Sequence, residues 1–395
     1  MRVLHVIPSL SPKHGGPSVA LPLMAQSLVR AGVGIDVATT DDDGPGCRVA
    51  VPLGQRVERA GYGVYYFAKQ SEFYKASWSL CRWLGRHVAA YDLVHIHALF
   101  SFASTCAAGL AQRVGVPYVV RPLGVLNRWG MHNRRPRLKS WSFRLVEGPI
   151  LRRAAAVHYT SRQEQREAEE AGVRTRSALI PLGIDLKPFE RLPDKGLFLA
   201  RFPEAMGRPI VLFLSRLDAK KGLDLLLAAF AEVHCRRPNT LLVIAGGGDK
   251  AGVARERELA RRLAIGSHVL WTGPLEGEVK LAALAAAQVF VLPSYSENFG
   301  LALVEAMAAG LPCLTSTEVG IAPDISAANA GLVARCKVAA LAQALERLLT
   351  DAELARSLRA GARRLARERF SLEAMGQRLK ELYHEIFTCP RSAVA

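Results

Sequence analysis

Apolar residues in this chain gather into short runs, and the stretches between them carry apolar residues at helical spacing. The runs Val3–Ile7, Ile35–Thr39, Gly63–Phe67, Leu93–Ile96, Tyr118–Arg121, Ala155–Tyr159 and Ala178–Ile180 predict strands. A helix is predicted over 18–31, after a loop spanning 8–17, and helical patterns lie between several later runs. Strands alternating with helices imply βαβ units and a parallel sheet. Residues 183–209, punctuated by proline and of mixed charge, interrupt the pattern and read as a linker. The alternation then resumes. Strands are predicted at Ile210–Ser215, Leu241–Ala245, His268–Thr272, Val289–Pro293 and Pro312–Thr315. Helices are predicted at Leu223–Arg236, Lys250–Leu263, Gly277–Ala286 and Leu301–Ala309. A last helix, 371–387, sets Leu372, Met375, Leu379, Leu382 and Ile386 on one stripe.

The economical reading is α/β: two tandem, doubly wound, Rossmann-like domains, 1–188 and 189–370. Ligands of such folds sit beyond the carboxyl ends of the strands, which here implies the cleft between the domains.

A chain of 395 residues can bury two cores, and half of its residues are apolar. Net charge is +17, concentrated in the N-terminal half. Such a field favours anions: nucleotides, nucleic acid or an anionic membrane face. No helix-turn-helix, RNP or zinc-finger pattern supports nucleic acid. Seven cysteines without a C-x-x-C pair suggest neither a zinc knuckle nor a disulfide framework, so a reducing compartment fits best. The apolar run at the N-terminus is too short for a secretory signal, and no run reaches the roughly 18 residues of a spanning helix. The expected location is cytoplasmic.

Candidate chemistry clusters at strand ends. In S-E-N-F-G-L-A-L-V-E, Glu297 lies in a loop and Glu305 two turns into the following helix. The free N–H groups of Asn298, Phe299, Gly300 and Leu301 would form an anion site at the helix start. Glu297 and Glu305 are directed about 80° apart at helical spacing, so they suit two parts of one elongated ligand rather than an acid/base pair. In S-R-L-D-A-K-K-G, Arg216 and Lys221 follow a strand; a guanidinium fork and an ammonium suit a diphosphate and its departure. Gly15 and Gly16 would let backbone approach a phosphate or sugar, although they do not form G-x-G-x-x-G. His95 and His97 share one strand face, with His97 nearer the carboxyl end, and no third metal ligand is evident. Asp41–Asp43 carries a D-x-D pattern but reads as a turn before Gly44. Gly246–Gly248 and Asp249 lack the ending of a phosphate loop.

Together, Gly15-Gly16, the HIH strand end, SRLDAKKG, IAGGGD and E-x-F-G-x-x-x-x-E resemble the retaining, family-four-type glycosyltransferases (glycosyl transferases group 1) of the GT-B fold. The likeness covers nearly the whole chain. It implies that Arg216 and Lys221 hold the donor diphosphate, Glu305 the ribose and Glu297 the donor sugar. Backbone from Asn298 to Leu301 would hold sugar and phosphate. Gly16 would approach the diphosphate from the other domain, His97 would meet the sugar near the reacting carbon, and the helix 371–395 would cross back to the first domain. No metal or cofactor is implied beyond a UDP- or GDP-sugar co-substrate. The implied reaction moves a hexose-type sugar to a glycan or lipid-linked acceptor with retained configuration. A nucleotide-sugar epimerase and a non-catalytic nucleotide-sugar-binding subunit are the competing readings. Residues 121–153, with nine Lys/Arg and only Glu147 acidic, could rest on an anionic membrane or form a solvated face.

Overall fold

The computed structural model describes residues 1–127 and 136–388 and divides the chain into two compact units: Met1–Gly183 with the segment from Leu372 onward, and Ile184–Ser371. The first unit is built on an eight-stranded sheet ordered β3-β4-β2-β1-β5-β6-β7-β8. Its strands are β1 (Arg2–Ser9), β2 (Gly34–Thr40), β3 (Arg56–Arg59), β4 (Tyr62–Phe67), β5 (Leu93–His97), β6 (Tyr118–Arg121), β7 (Ala156–Tyr159) and β8 (Ser177–Leu179). All pair in parallel except β3 with β4, a hairpin closed by Ala60 and Gly61, both at positive φ. The central strands are buried on both faces, as strands covered by helices must be.

Helix Leu372–Thr388 belongs to this unit. Its stripe of Leu372, Met375, Leu379, Leu382, Tyr383 and Ile386 is buried. It packs on the first helix, Gly16–Arg30, so closely that a Cβ on Gly376 would fall 2.5 Å from the Ser27 carbonyl oxygen. Lys380 Nζ donates to the Ala31 carbonyl at 2.8 Å, holding the C-terminal end of that helix.

The second unit carries a six-stranded, fully parallel sheet ordered β11-β10-β9-β12-β13-β14. Its strands are β9 (Ile210–Leu214), β10 (Leu241–Ala245), β11 (Val269–Gly273), β12 (Val289–Leu292), β13 (Cys313–Ser316) and β14 (Gly331–Ala334). The stretch read as a linker is part of this unit. It forms helices Lys187–Glu190 and Gly196–Arg201, with Phe198 buried in the core. The apolar G-L-F-L-A segment outweighs its proline-rich flanks because burying a phenylalanine stabilises by about 2 kcal/mol.

Both sheets reverse strand order beside their first strand: β1 lies between β2 and β5, and β9 between β10 and β12. At such a switch point two loops leave in opposite directions and open a crevice.

Candidate active site

In the second unit the crevice is assembled by backbone contacts that only glycine permits. A Cβ on Gly246 would sit 1.8 Å from the Ser215 carbonyl oxygen, and one on Gly248 2.5 Å from that of Leu217. Leu217 N donates to Gly247 at 2.8 Å, joining the GGGD loop to the SRLD loop. Asp218 caps the short turn Ala219–Lys221 by accepting from Lys220 N at 3.1 Å. Gly222 closes that turn at φ 68°, and its missing Cβ would lie 2.1 Å from the Pro293 carbonyl oxygen. Tyr295 N donates to Lys220 O at 2.8 Å. The loops after β9, β10 and β12 are thus stitched together around the switch point.

Lys221 is buried, and its Nζ pairs with Glu297 Oε2. Arg216, earlier in the same loop, is exposed. Glu297 is held by its backbone: its N donates to Glu318 O at 3.1 Å and its O accepts from Gly320 N at 2.8 Å. Gly300 stands at φ 89° before helix Leu301–Ala308, which has no side-chain cap. The positive end of this helix dipole therefore opens beside Glu297 and Lys221. The Phe299 side chain does not face the crevice; it is buried edge-on against Phe370, with ring centroids 5.5 Å apart. Glu305 Oε1 accepts from Lys280 Nζ at 2.8 Å. Lys280 was missed by the sequence reading, because no motif links helix Gly277–Ala286 to Glu305.

In the first unit a cavity of about 600 Å³ opens at the β1/β5 switch point. Ile7 to Ser9, Ala98 to Ser101, Leu123, Phe73 to Lys75, Leu138, Lys139 and Ser142 line it, and His14 stands among them. The lining is mainly apolar, with a polar side where His14 and Lys75 both reach Asp42. The D-x-D pattern is thereby accounted for: Asp42 is fully buried and tied to Lys69 at 2.7 Å, and Asp43 to Lys13 at 2.6 Å. Burial raises the Asp42 pKa, but the two lysines outweigh that and hold it down at about 2. Gly15 stands at φ 78° and Gly16 begins the first helix, with nothing within 4 Å of an added Cβ.

His97 is not on this cavity. Its ring is fully buried, stacked against both His5 and His95, which also meet each other, and His5 Nδ1 lies 2.9 Å from His97 Nε2. The strand end packs its imidazole among His5 and His95, and Ala98 to Ser101 line the cavity. His95 Nδ1 bonds the Tyr383 hydroxyl at 2.7 Å, and His158 Nε2 meets Ile180 O at 2.8 Å. The third histidine that sequence spacing did not supply is therefore His5, and ring nitrogens of His5, His95 and His97 lie within 4.8 Å of one another. Buried Arg121 stands close enough to depress these histidines, so a cation there would face a guanidinium. Burial first, and Arg121 second, lower His5 and His158 to about 3.

Cys81 and Cys106, on helices Trp78–His87 and Phe102–Arg113, are joined as a disulfide, a pairing that the cysteine spacing did not suggest. Their separation of 25 residues matches no motif; only the packing of the two helices brings them together.

Two Rossmann-like units with loops gathered at their switch points are the components of a GT-B fold. The description of the glycosyl transferase 4-like domain matches residues 15–183, and that of glycosyl transferases group 1 matches residues 196–365. The chain belongs to the group 1 glycosyltransferases. It is 30% identical over 277 residues to a D-inositol 3-phosphate glycosyltransferase of Nocardia farcinica, spanning 68% of this chain and 61% of that one. It is 31% identical over 258 residues to a GDP-mannose-dependent alpha-(1-6)-phosphatidylinositol monomannoside mannosyltransferase of Mycolicibacterium smegmatis, spanning 61% of this chain and 66% of that one. Both matches cover less than two thirds of the relative. The fold is also that of Anabaena Alr3699/HepE in complex with UDP and glucose, with a TM-score of 0.76, 19% identity, and coverage of 98% of this chain and 100% of that one.

Proposed function

We propose that the protein transfers a hexose-type sugar, with retained configuration and without a divalent metal, from a nucleoside-diphosphate sugar to a hydroxyl of a lipid-linked or surface-polysaccharide intermediate. The observation that carries the donor half is the Lys221–Glu297 pair beside exposed Arg216 and the uncapped helix start at Gly300. Lys221 and Arg216 take the diphosphate, and their charge stabilises it as the C1–O bond breaks. Glu297 faces the sugar. Backbone from Asn298 to Leu301 receives sugar and phosphate oxygens, and Glu305, oriented by Lys280, accepts from the ribose hydroxyls. The acceptor hydroxyl bonds to C1 on the face the diphosphate leaves, a phosphate oxygen takes its proton, and the nucleoside diphosphate departs. Two cationic side chains take the place that a divalent ion fills elsewhere. UDP and GDP are the candidate bases, since relatives of both kinds are similar to this chain.

The acceptor half draws on the first-unit cavity. Apolar walls beside His14, Lys75 and Lys139 suit an amphiphile with an anionic group. Phe73, Leu138, Trp141 and Leu145 are exposed at and beyond its rim, and Arg137 and Arg144 are exposed on the same helical stretch. An apolar stripe flanked by cations fits an anionic membrane surface, where a lipid-linked acceptor resides. No described helix is long and apolar enough to cross a membrane. Peripheral attachment at the inner face of the plasma membrane follows from this reading.

The test is release of nucleoside diphosphate from UDP-glucose and GDP-mannose, with and without lipid-diphosphate-linked saccharides and with EDTA. Acceptor-dependent, EDTA-insensitive release and a product with the donor's anomeric configuration are expected. Conversion of the donor sugar without acceptor would favour an epimerase, and binding without turnover a non-catalytic subunit.

A further inference from the structure

Behind the cavity wall of the first unit lies a carboxylate that none of the assigned roles uses. Glu147 ends a π-helical turn, Phe143–Glu147, inserted between helices Pro136–Ser142 and Gly148–Arg153. Such turns insert one residue into a helix and redirect the side chains around it. Gly148 permits this one, since a Cβ there would fall 2.8 Å from the Phe143 carbonyl oxygen. The result drives Glu147 fully inside the unit.

One oxygen of Glu147 gathers three segments. Oε1 accepts from Phe100 N at 3.2 Å and lies 3.2 Å from the Tyr74 hydroxyl and 3.3 Å from Ser142 Oγ; these two hydroxyls also hydrogen-bond each other, so their two protons are shared among the three oxygens. Phe100, Tyr74 and Ser142 all line the cavity; Glu147 does not. Phe100 and Tyr74 stand at φ 54° and 55°, and their neighbours Ala98 and Lys75 at 82° and 50°. Each such non-glycine residue costs on the order of 1 kcal/mol and persists only where its surroundings hold it. A second link runs between the same segments: Phe102 N donates to Tyr74 O at 3.0 Å. Oε2 has no partner among the described residues, so the carboxylate is committed through one oxygen.

A comparable arrangement holds the neighbouring corner with no oxygen left over. Glu164 Oε1 accepts from Gly124 N at 2.7 Å beside Leu123, which is at φ 63°, while Oε2 accepts from Thr160 N and Oγ1 at 2.8 Å. Glu164 thus provides an internal comparison.

We propose that Glu147 is a positioning residue for acceptor binding: through Oε1 it fixes the left-handed Tyr74 and Phe100 and thereby sets the shape of the cavity that receives the acceptor. This rests on the acceptor reading given above. Glu147 does not touch the substrate. It ties the basic, apolar helix 136–142 to the two corners that form the cavity wall.

The test compares Glu147→Ala and Glu147→Gln in the full chain. Gln keeps an oxygen at the Oε1 position and loses the charge. Hydrogen exchange read by peptide should rise about tenfold over 72–76 and 98–102 in the Ala variant, the loss of one buried hydrogen bond, and stay unchanged over 121–125. Gln should restore most of the protection. Octyl β-D-glucoside serves as the probe for the cavity, titrated by calorimetry. Its dissociation constant should rise about tenfold in the Ala variant and recover in Gln, while the dissociation constant of UDP or GDP stays within about twofold. Normal exchange at 98–102, a Gln variant as damaged as Ala, or parallel loss of nucleotide binding would each overturn the proposal. A wild-type protein that ignores octyl glucoside would instead count against the acceptor reading alone, and the exchange pattern would still decide the role of Glu147.

Discussion

The Ser215 carbonyl oxygen occupies the space that a side chain on Gly246 would need. The gap of 1.8 Å leaves no room for even a methyl group, and both partners are backbone. Gly246→Ala is therefore expected to push the SRLDAKKG loop off its seat. A loss of about 2–4 kcal/mol in stability should follow, with at least tenfold weaker nucleotide binding. Thermal unfolding and calorimetry of the same preparation measure both. An alanine variant with wild-type nucleotide affinity would show that the loop can be seated without this contact.

Glu297 and Glu305 should separate kinetically. Glu297→Ala is expected to lower kcat on the order of a hundredfold with donor KM little changed, and Glu305→Ala to raise donor KM about tenfold. Wild-type activity in both variants would sink the assignment. Lys280→Ala should move donor KM in the direction of Glu305→Ala but by only about threefold, since a partly exposed pair contributes up to about 1 kcal/mol.

The buried histidines predict an acid limb of stability at unusually high pH. Unfolded, each titrates near 6.5. Folded, burial first and Arg121 second lower His5 and His158 to about 3, and burial first, with neighbouring histidines next, lowers His95 and His97 as well. Between these values the unfolded chain binds protons that the folded chain does not. Stability is therefore full above about pH 7 and falls as pH drops from 6.5 toward 4, at about 1.4 kcal/mol per pH unit for each histidine. Denaturant melts across that range would show the slope. His158→Asn should flatten it, and an unchanged melting profile in the wild type from pH 7 to 4.5 would contradict the account.

Trp141 and Leu145 stand exposed one helical turn apart, and Arg144 lies between them. Replacing both with alanine should reduce partition onto phosphatidylserine vesicles on the order of tenfold or more, and raised salt should weaken what remains. Neutralising Arg134, Arg135 and Arg137 should act through the electrostatic part alone; Arg134 and Arg135, with Trp129, lie outside the described residues. Sedimentation with vesicles distinguishes the two contributions. Undiminished binding of both variants would remove this surface from consideration.

Much of the architecture was legible because parallel strands announce themselves as apolar runs. β9, β10 and β12 needed no tertiary information. β3 did not announce itself: R-V-E-R is a polar edge strand whose pairing comes from the hairpin beyond it. β14 is a short run after an alanine-rich stretch, stabilised by its place beside β13. The loops after β9, β10 and β12 were legible as motifs, since glycine and charge at fixed spacing carry their own physical reason. What escaped were pairings over long separations. Lys280 with Glu305, Cys81 with Cys106, and the Glu147 hub each join residues that only the folded chain makes neighbours. The burial of His97 was not legible either. Strand alternation gives the face of a side chain, and says nothing of whether that face looks into a crevice or into packed core.

The helix Leu372–Thr388 has a consequence for biosynthesis. The ribosome makes the first unit early, yet the stripe that covers the Ser27 face of its first helix emerges only after the whole second unit has been translated. Until then Tyr383 is missing from beside His95, and an apolar groove stands open on the nascent protein. The first unit, made before the second, is thus completed after it, and during elongation it presents the kind of surface that chaperones bind.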